Sequence, residues 1–196
     1  MTKIAFSLAL LVFFSSCSEN KNQVEESSTA FADLPAGAVQ ENYPDNPKLV
    51  RVSVYSSGDQ LSAQGDYLNG QKNGAWTEYH SNGLVKSITS FVEGKKQGVQ
   101  VTLNDRGDLE TKAYYHNDLL HGEWVQYKYT RVKEERFYLG GKREGESKKY
   151  HDNGKIMEES TYKNGVIDGT AIWYDNEGNQ TIVYEYENGE LVSTGE

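Results

Sequence analysis

The sequence predicts an all-β protein: an elongated antiparallel β-meander of about six hairpin repeats, each 24 residues long. Three observations carry that expectation. Aromatic residues recur in two rows at a fixed step, glycines recur in three rows on the same beat, and all three prolines precede Lys48. Proline cannot donate to a strand ladder, so a long proline-free stretch suits continuous pairing. Composition narrows the choice. Leu, Ile, Val and Phe supply only 41 of 196 residues, eight of them within the first 14. That is too little aliphatic mass for a TIM barrel or a polytopic membrane protein. It is low enough to flag disorder, but 14 Tyr, 19 Gly and 3 Trp point to a Tyr/Gly-rich β architecture.

The chain opens on Lys3, an apolar run over residues 4–14, then Ser15-Ser16-Cys17 and a polar stretch. The run is too short to span a bilayer, and the pattern is that of a secretory signal. It resembles a bacterial lipoprotein signal with Phe14 in place of the usual Leu. The resemblance implies removal of residues 1–16 and lipidation of Cys17 at a cell envelope, at the outer rather than the inner membrane. Cys17 is the only cysteine, so no disulfide, Cys-based metal site or thiol nucleophile is expected in the folded part. The net charge of −9 disfavours nucleic acid and anionic membrane surfaces.

Residues 17–47 read as a lipid-anchored flexible tether. They are rich in Ser, Glu, Asn and Gln, contain Pro35, Pro44 and Pro47, and show no period. Phe31 and Leu34 are candidates for local docking on the domain that follows.

Residues 48–196 hold the repeats. The first aromatic row is Tyr55, Tyr79, Leu103, Tyr127, Tyr150 and Tyr174; the second is Tyr67, Phe91, Tyr115, Tyr138, Tyr162 and Tyr186. Steps within each row are 24 or 23 residues, and eleven of the twelve slots are aromatic. Gly74, Gly98, Gly122, Gly145 and Gly169 open successive units. Ser81-Asn82-Gly83 and Leu68-Asn69-Gly70 typify two alternating turns, where Asn or Asp before Gly supplies positive φ. The third unit lacks its turn Gly and is one residue short, at Lys128-Tyr129-Thr130-Arg131. Twelve short strands are expected. Strand parity groups Leu109, Ala113 and Tyr115, and Val99, Val101 and Leu103, as one apolar, aromatic face, with a solvated face opposite. Buried on that face, Tyr162→Ala would cost the roughly 3–5 kcal/mol of a core aromatic.

The unit Gly74-Ala-Trp76-Thr-Glu-Tyr79-His-Ser-Asn82-Gly83-Leu-Val85, followed by Phe91, Gly94 and Gly98, resembles the MORN repeat variant. Gly145–Gly169 is a second good copy. The resemblance implies a repeat scaffold; related bacterial proteins, the YwqK-like group, are often described as antitoxin components.

The search for chemistry finds no catalytic constellation. His80 and His151 share one repeat slot and read as decoration, while His116 and His121 read as solvated turn residues rather than a metal site. Glu134-Glu135 and Glu158-Glu159 recur at one slot and read as a charged outer face rather than an acid/base pair. Asp175-Asn176-Glu177-Gly178-Asn179 reads as a hairpin turn, not a calcium loop. No P-loop or nucleophile elbow is present. The expectation is a protein without enzymatic activity, cofactor or metal. Trp76, Trp124 and Trp173 are the candidate binding residues. They either form an exposed aromatic row that recognises protein or glycan, or close over neighbouring glycines as part of the fold. The function expected is a lipid-anchored module that binds an unidentified protein partner. An immunity or antitoxin protein and a glycan-binding lipoprotein are the alternatives.

Overall fold

A computed structural model describes residues 34–35 and 37–195. The chain forms β1 (Ala38–Tyr43), β2 (Asn46–Ser56), β3 (Gln60–Leu68), β4 (Gln71–Tyr79), β5 (Val85–Val92), β6 (Lys95–Leu103), β7 (Leu109–His116), β8 (Leu119–Lys128), β9 (Arg131–Leu139), β10 (Lys142–Arg143), β11 (Gly145–Tyr150), β12 (Ile156–Lys163), β13 (Val166–Tyr174), β14 (Gln180–Glu187) and β15 (Glu190–Gly195). They make a single antiparallel sheet in chain order, with short β10 attached to β9. Packing between strands follows the pairing order, so the sheet is one layer deep among the described residues.

The predicted meander is therefore present, and it is longer than expected. The sheet begins at Ala38, inside the stretch expected to be a tether. Pro47 lies within β2, in a bulge where Tyr43 faces Asn46 and Asn42 faces Val50. A bulge tolerates proline because its N–H is not needed there. Leu34 packs against the cluster of Val50, Val52, Tyr67 and Trp76. Phe31 and Cys17 lie outside the described residues.

Each opening glycine stands directly across the sheet from the second-row aromatic of its own unit. Gly74 faces Phe91, Gly98 faces Tyr115, Gly122 faces Tyr138, Gly145 faces Tyr162 and Gly169 faces Tyr186. All five adopt positive φ, between 70° and 109°. Several sit in bulges, as where Gln64 faces Thr77 but Asp66 faces Asn73, leaving Gly74 in the surplus. An aromatic ring laid across a glycine covers backbone that no side chain protects. In the hairpin that precedes the unit opened by Gly74, Val50 takes the glycine slot opposite Tyr67, and both are buried.

The two turns differ as the sequence implied, with one change. The second turn is a two-residue loop with both residues at positive φ, as at Asn69 (51°) and Gly70 (81°) or Asn164 (53°) and Gly165 (95°). This is the type I′ geometry that matches strand twist. In the first turn only the glycine, such as Gly83 (84°), is left-handed. There His80 O accepts from Gly83 N, and Leu84 O from His80 N.

The single apolar face is corrected. Facing residues share a side of the sheet, and the register places Phe91, Tyr115, Ala113, Trp124 and Trp76 on one side. Val101 faces Ile88 and Lys112, on the other side. Tyr150 and Tyr174 also reach that second side, where they donate to Glu135 (2.7 Å) and Glu159 (3.0 Å). Each face thus carries one aromatic row. A register shift precedes each first-row residue, between Val54/Tyr55, Glu78/Tyr79, Thr102/Leu103, Gln126/Tyr127, Lys149/Tyr150 and Trp173/Tyr174. Such shifts interrupt the alternation on which parity arguments rest.

Without a second layer most of both rows is only half-buried, Tyr162 included, with the Arg143 guanidinium 4.9 Å above its ring. Tyr162→Ala should then cost about 1–2 kcal/mol in urea unfolding, below the value for a core aromatic. Two glycines separate backbone strain from crowding. A Cβ on Gly74 meets nothing within 4 Å, so Gly74→Ala tests φ +75° alone, at about 1–2 kcal/mol. A Cβ on Gly65 would overlap the Trp76 ring, so Gly65→Ala should cost more, about 3 kcal/mol. Equal losses would contradict the distinction.

Candidate interaction surface

The three tryptophans that the sequence singles out differ in their surroundings. Trp76, expected on a polar face, is 4% exposed. It lies edge-on to Tyr67 (5.7 Å between centroids), closes over Gly65 and takes Lys72 Nζ 4.0 Å from its ring. Burial there pulls Lys72 below the usual lysine range. Trp124 is capped by Arg136 at 4.4 Å, and Trp173 stacks edge-on with Tyr184 at 5.4 Å. Trp76 thus closes over a glycine as part of the fold, and Trp124 stands opposite Ala113 on the same face. A Trp row available for recognition is corrected at Trp76, and the reason is the missing second layer: the largest rings are the only cover the strands have.

The same economy absorbs most charges. Lys72, Lys96 and Arg143 share a repeat slot and sit over Phe91 (5.2 Å), Tyr115 (4.8 Å) and Tyr162 (4.9 Å), the aromatics of the following hairpin. Such contacts contribute about 0.5–1 kcal/mol each at exposed sites. The paired glutamates are not one solvated outer face, because neighbours in a strand point to opposite sides. Glu134 is 7% exposed and forked by Arg136 through two 2.6 Å hydrogen bonds. Glu158 accepts from Lys149 (2.8 Å) and Ser160 (3.0 Å). Glu135 takes the Tyr150 hydroxyl, whose pKa is raised by burial first and by that carboxylate second.

The turns are stitched laterally as well. His80 Nε2 contacts Leu103 O and His151 Nε2 contacts Tyr174 O, both at 2.9 Å, so this slot links one hairpin to the next. Asn82 and Asn153 donate to the carbonyls of Asp105 (2.6 Å) and Asn176 (2.7 Å). In the last of these turns Asp175 accepts from the backbone of Glu177 and Asn179, and hydrogen bonds from Asn179 hold its carboxyl below the usual range. His116 and His121 lie with ring centroids 5.6 Å apart. Among the described residues no group of three or more His, Asp or Glu is arranged to hold a metal.

One place breaks the pattern. In the third unit β8 and β9 are joined by Tyr129-Thr130 alone, where the other units from the second onward use five residues. The shortened turn leaves the next turn uncovered. The resulting notch has a volume of about 410 Å³ and is lined by Lys128, Tyr129, Arg131, Lys133, His151 and Asp152. Cations replace the usual stitches. Arg131 donates to Asp152 O in place of the Asn link, and Lys133 donates to Tyr150 O (3.0 Å) in place of the His link. The Asp152 carboxylate meets Lys128 at 3.1 Å and Lys133 at 3.7 Å. Hydrogen bonding and charge from Lys128, with the charge of Lys133, hold it below the ordinary carboxylate range. Tyr129 stands 69% exposed at φ 60°. A bulky non-glycine residue in that region is strained and persists where the surroundings impose it. The missing turn glycine was visible in the sequence, and Lys128, Arg131 and Lys133 flank that turn; their meeting with Asp152 was not, because it depends on which hairpins lie side by side.

Relieving the strain gives a direct check: Tyr129→Gly should raise stability by about 1 kcal/mol in thermal or urea melts. A loss of stability would mean the Tyr129 ring makes contacts that outweigh its backbone.

No curated protein matches the chain. Residues 143–164, from Arg143 to the turn after β12, match the family model of the MORN repeat variant, so the hairpin whose Gly145–Tyr162 pair recurs along the sheet is similar to a MORN-variant repeat.

Proposed function

We propose that the protein is a non-enzymatic repeat module, lipid-anchored at the bacterial cell envelope through Cys17, that binds a protein partner. The observation that supports this reading is the open single-layer sheet. Its charged groups are largely spent on links between hairpins, while both faces and the irregular third unit stay open to solvent. A long ribbon of this kind offers area rather than a reaction chamber, and area with exposed aromatic and charged side chains suits protein recognition. The burial of Trp76 favours a protein partner over a glycan, since stacking on sugars would need that ring free. The anchor rests on residues 1–17, where an apolar run ends at Ser15-Ser16-Cys17.

Palmitate fed to cells should label the protein and leave a Cys17→Ser form unlabelled; equal labelling contradicts the anchor. Cross-linking of the full-length protein in intact cells should join it to a defined envelope protein. No protein above background, together with retention on a polysaccharide column, contradicts the protein-binding reading.

A further inference from the structure

We propose that the notch at the third repeat docks an acidic peptide segment of the partner, an Asp or Glu side chain exchanging with Asp152 for Lys128 and Lys133. The proposal rests on the protein-binding reading above and names the chemistry of the contact. The chain carries a net charge of −9, yet Lys128, Arg131 and Lys133 converge on a gap that holds one carboxylate, Asp152. Elsewhere the comparable cations are occupied: Lys72, Lys96 and Arg143 by rings, Lys112 by Glu123, Lys149 by Glu158. The notch sets three cations against one carboxylate.

The Asp152 side chain is 71% exposed, so it is free to swing away and surrender its lysines to a stronger carboxylate. In its present place it acts as an internal stand-in for the ligand. Tyr129, held at φ 60° with its ring in solvent, forms the wall beside Lys128 against which a peptide backbone can lie. A volume of about 410 Å³ accepts a short stretch of chain, not a folded domain. Complementary charge of this kind sets selectivity and encounter rate, and it weakens with salt.

The residues divide usefully for a test. Arg131 and Lys133 also hold carbonyls of the neighbouring hairpin and are left intact. Lys128 engages the Asp152 carboxylate, so Lys128→Gln and Asp152→Asn address the exchange itself. Purified full-length protein is titrated at low salt into fluorescein-labelled hexaglutamate and, separately, hexaglutamine, with binding read by fluorescence anisotropy. Hexaglutamate should bind and hexaglutamine should not. Lys128→Gln should weaken binding about fivefold, and Asp152→Asn should tighten it about fivefold, because the internal competitor is gone. Glu187→Gln, which removes the same charge from an exposed distant hairpin, should leave binding unchanged. Tyr129→Gly, whose melt reports folding directly, should weaken binding while the protein stays folded. Absence of hexaglutamate binding, tightening by Glu187→Gln equal to that by Asp152→Asn, or weakening by Asp152→Asn each overturns the proposal. If a cross-linked partner is held equally by wild type and Lys128→Gln, the notch is excluded and the wider protein-binding reading stands.

Discussion

The structure depends on a cross-strand pair made of almost nothing on one side: an opening glycine at positive φ, with an aromatic ring facing it. The pair recurs from Gly74–Phe91 to Gly169–Tyr186 and sets the step of the whole sheet. A side chain in place of the glycine would force the bulged strand out of its left-handed turn. Each pair also fixes its neighbours, because the cation that follows the turn reaches the next ring, as Lys96 does from beside Phe91 to Tyr115. Aromatic, cation and aromatic alternate at Lys72, Lys96 and Arg143, with Leu120 and Ile167 in the other two slots, and such contacts stand in for the second layer most β proteins possess.

A single layer has consequences for composition and stability. There is no inner face to fill with Leu and Ile, so the aliphatic content is low without the chain being disordered. Among the described residues Val50 and Val52 are the largest side chains to lose all exposure, at the end of the sheet where Leu34, Tyr67 and Trp76 also gather. Elsewhere burial is shared among half-covered residues, and small ones such as Ala113, Ser160 and Ala171 are hidden beneath larger neighbours. Stability in such an array is close to a sum over hairpins and their contacts, as in other repeat proteins. A defect in one hairpin is then tolerated, provided side chains replace the lost stitches. The third unit shows this: Arg131 and Lys133 take over the carbonyls that Asn and His hold elsewhere, and the gap they bridge becomes a basic recess on an acidic molecule.

Much of this was legible in the sequence. The two aromatic rows, the opening glycines and both turn sets are one-dimensional patterns, and the structure uses each at the position expected. The assignment of faces was not legible. Alternation counts residues, and a bulge before Tyr79 or Tyr150 adds one to a strand without leaving a mark in the residue types. The start of the sheet was hidden because Pro44 and Pro47 argue against pairing, yet both fall where the chain turns or bulges. The burial of Trp76 was half-visible: a glycine two residues before Tyr67 is what a large ring needs beneath it, but only the register brings Gly65 under Trp76. The notch and its cations were marked by the short turn, and their contact with Asp152 emerged only once the next hairpin was laid beside it.

The central claim is that local glycine–aromatic pairs, not a common core, hold the sheet together. Native-state hydrogen exchange on Gly122→Ala tests it most directly. The glycine faces Tyr138 between β8 and β9, far along the chain from the Val50 cluster. The account predicts faster exchange in β7 to β9 and their immediate neighbours, with protection in β2 to β4 unchanged. A uniform loss of protection across all strands would contradict it, since that is how a protein with one shared core responds.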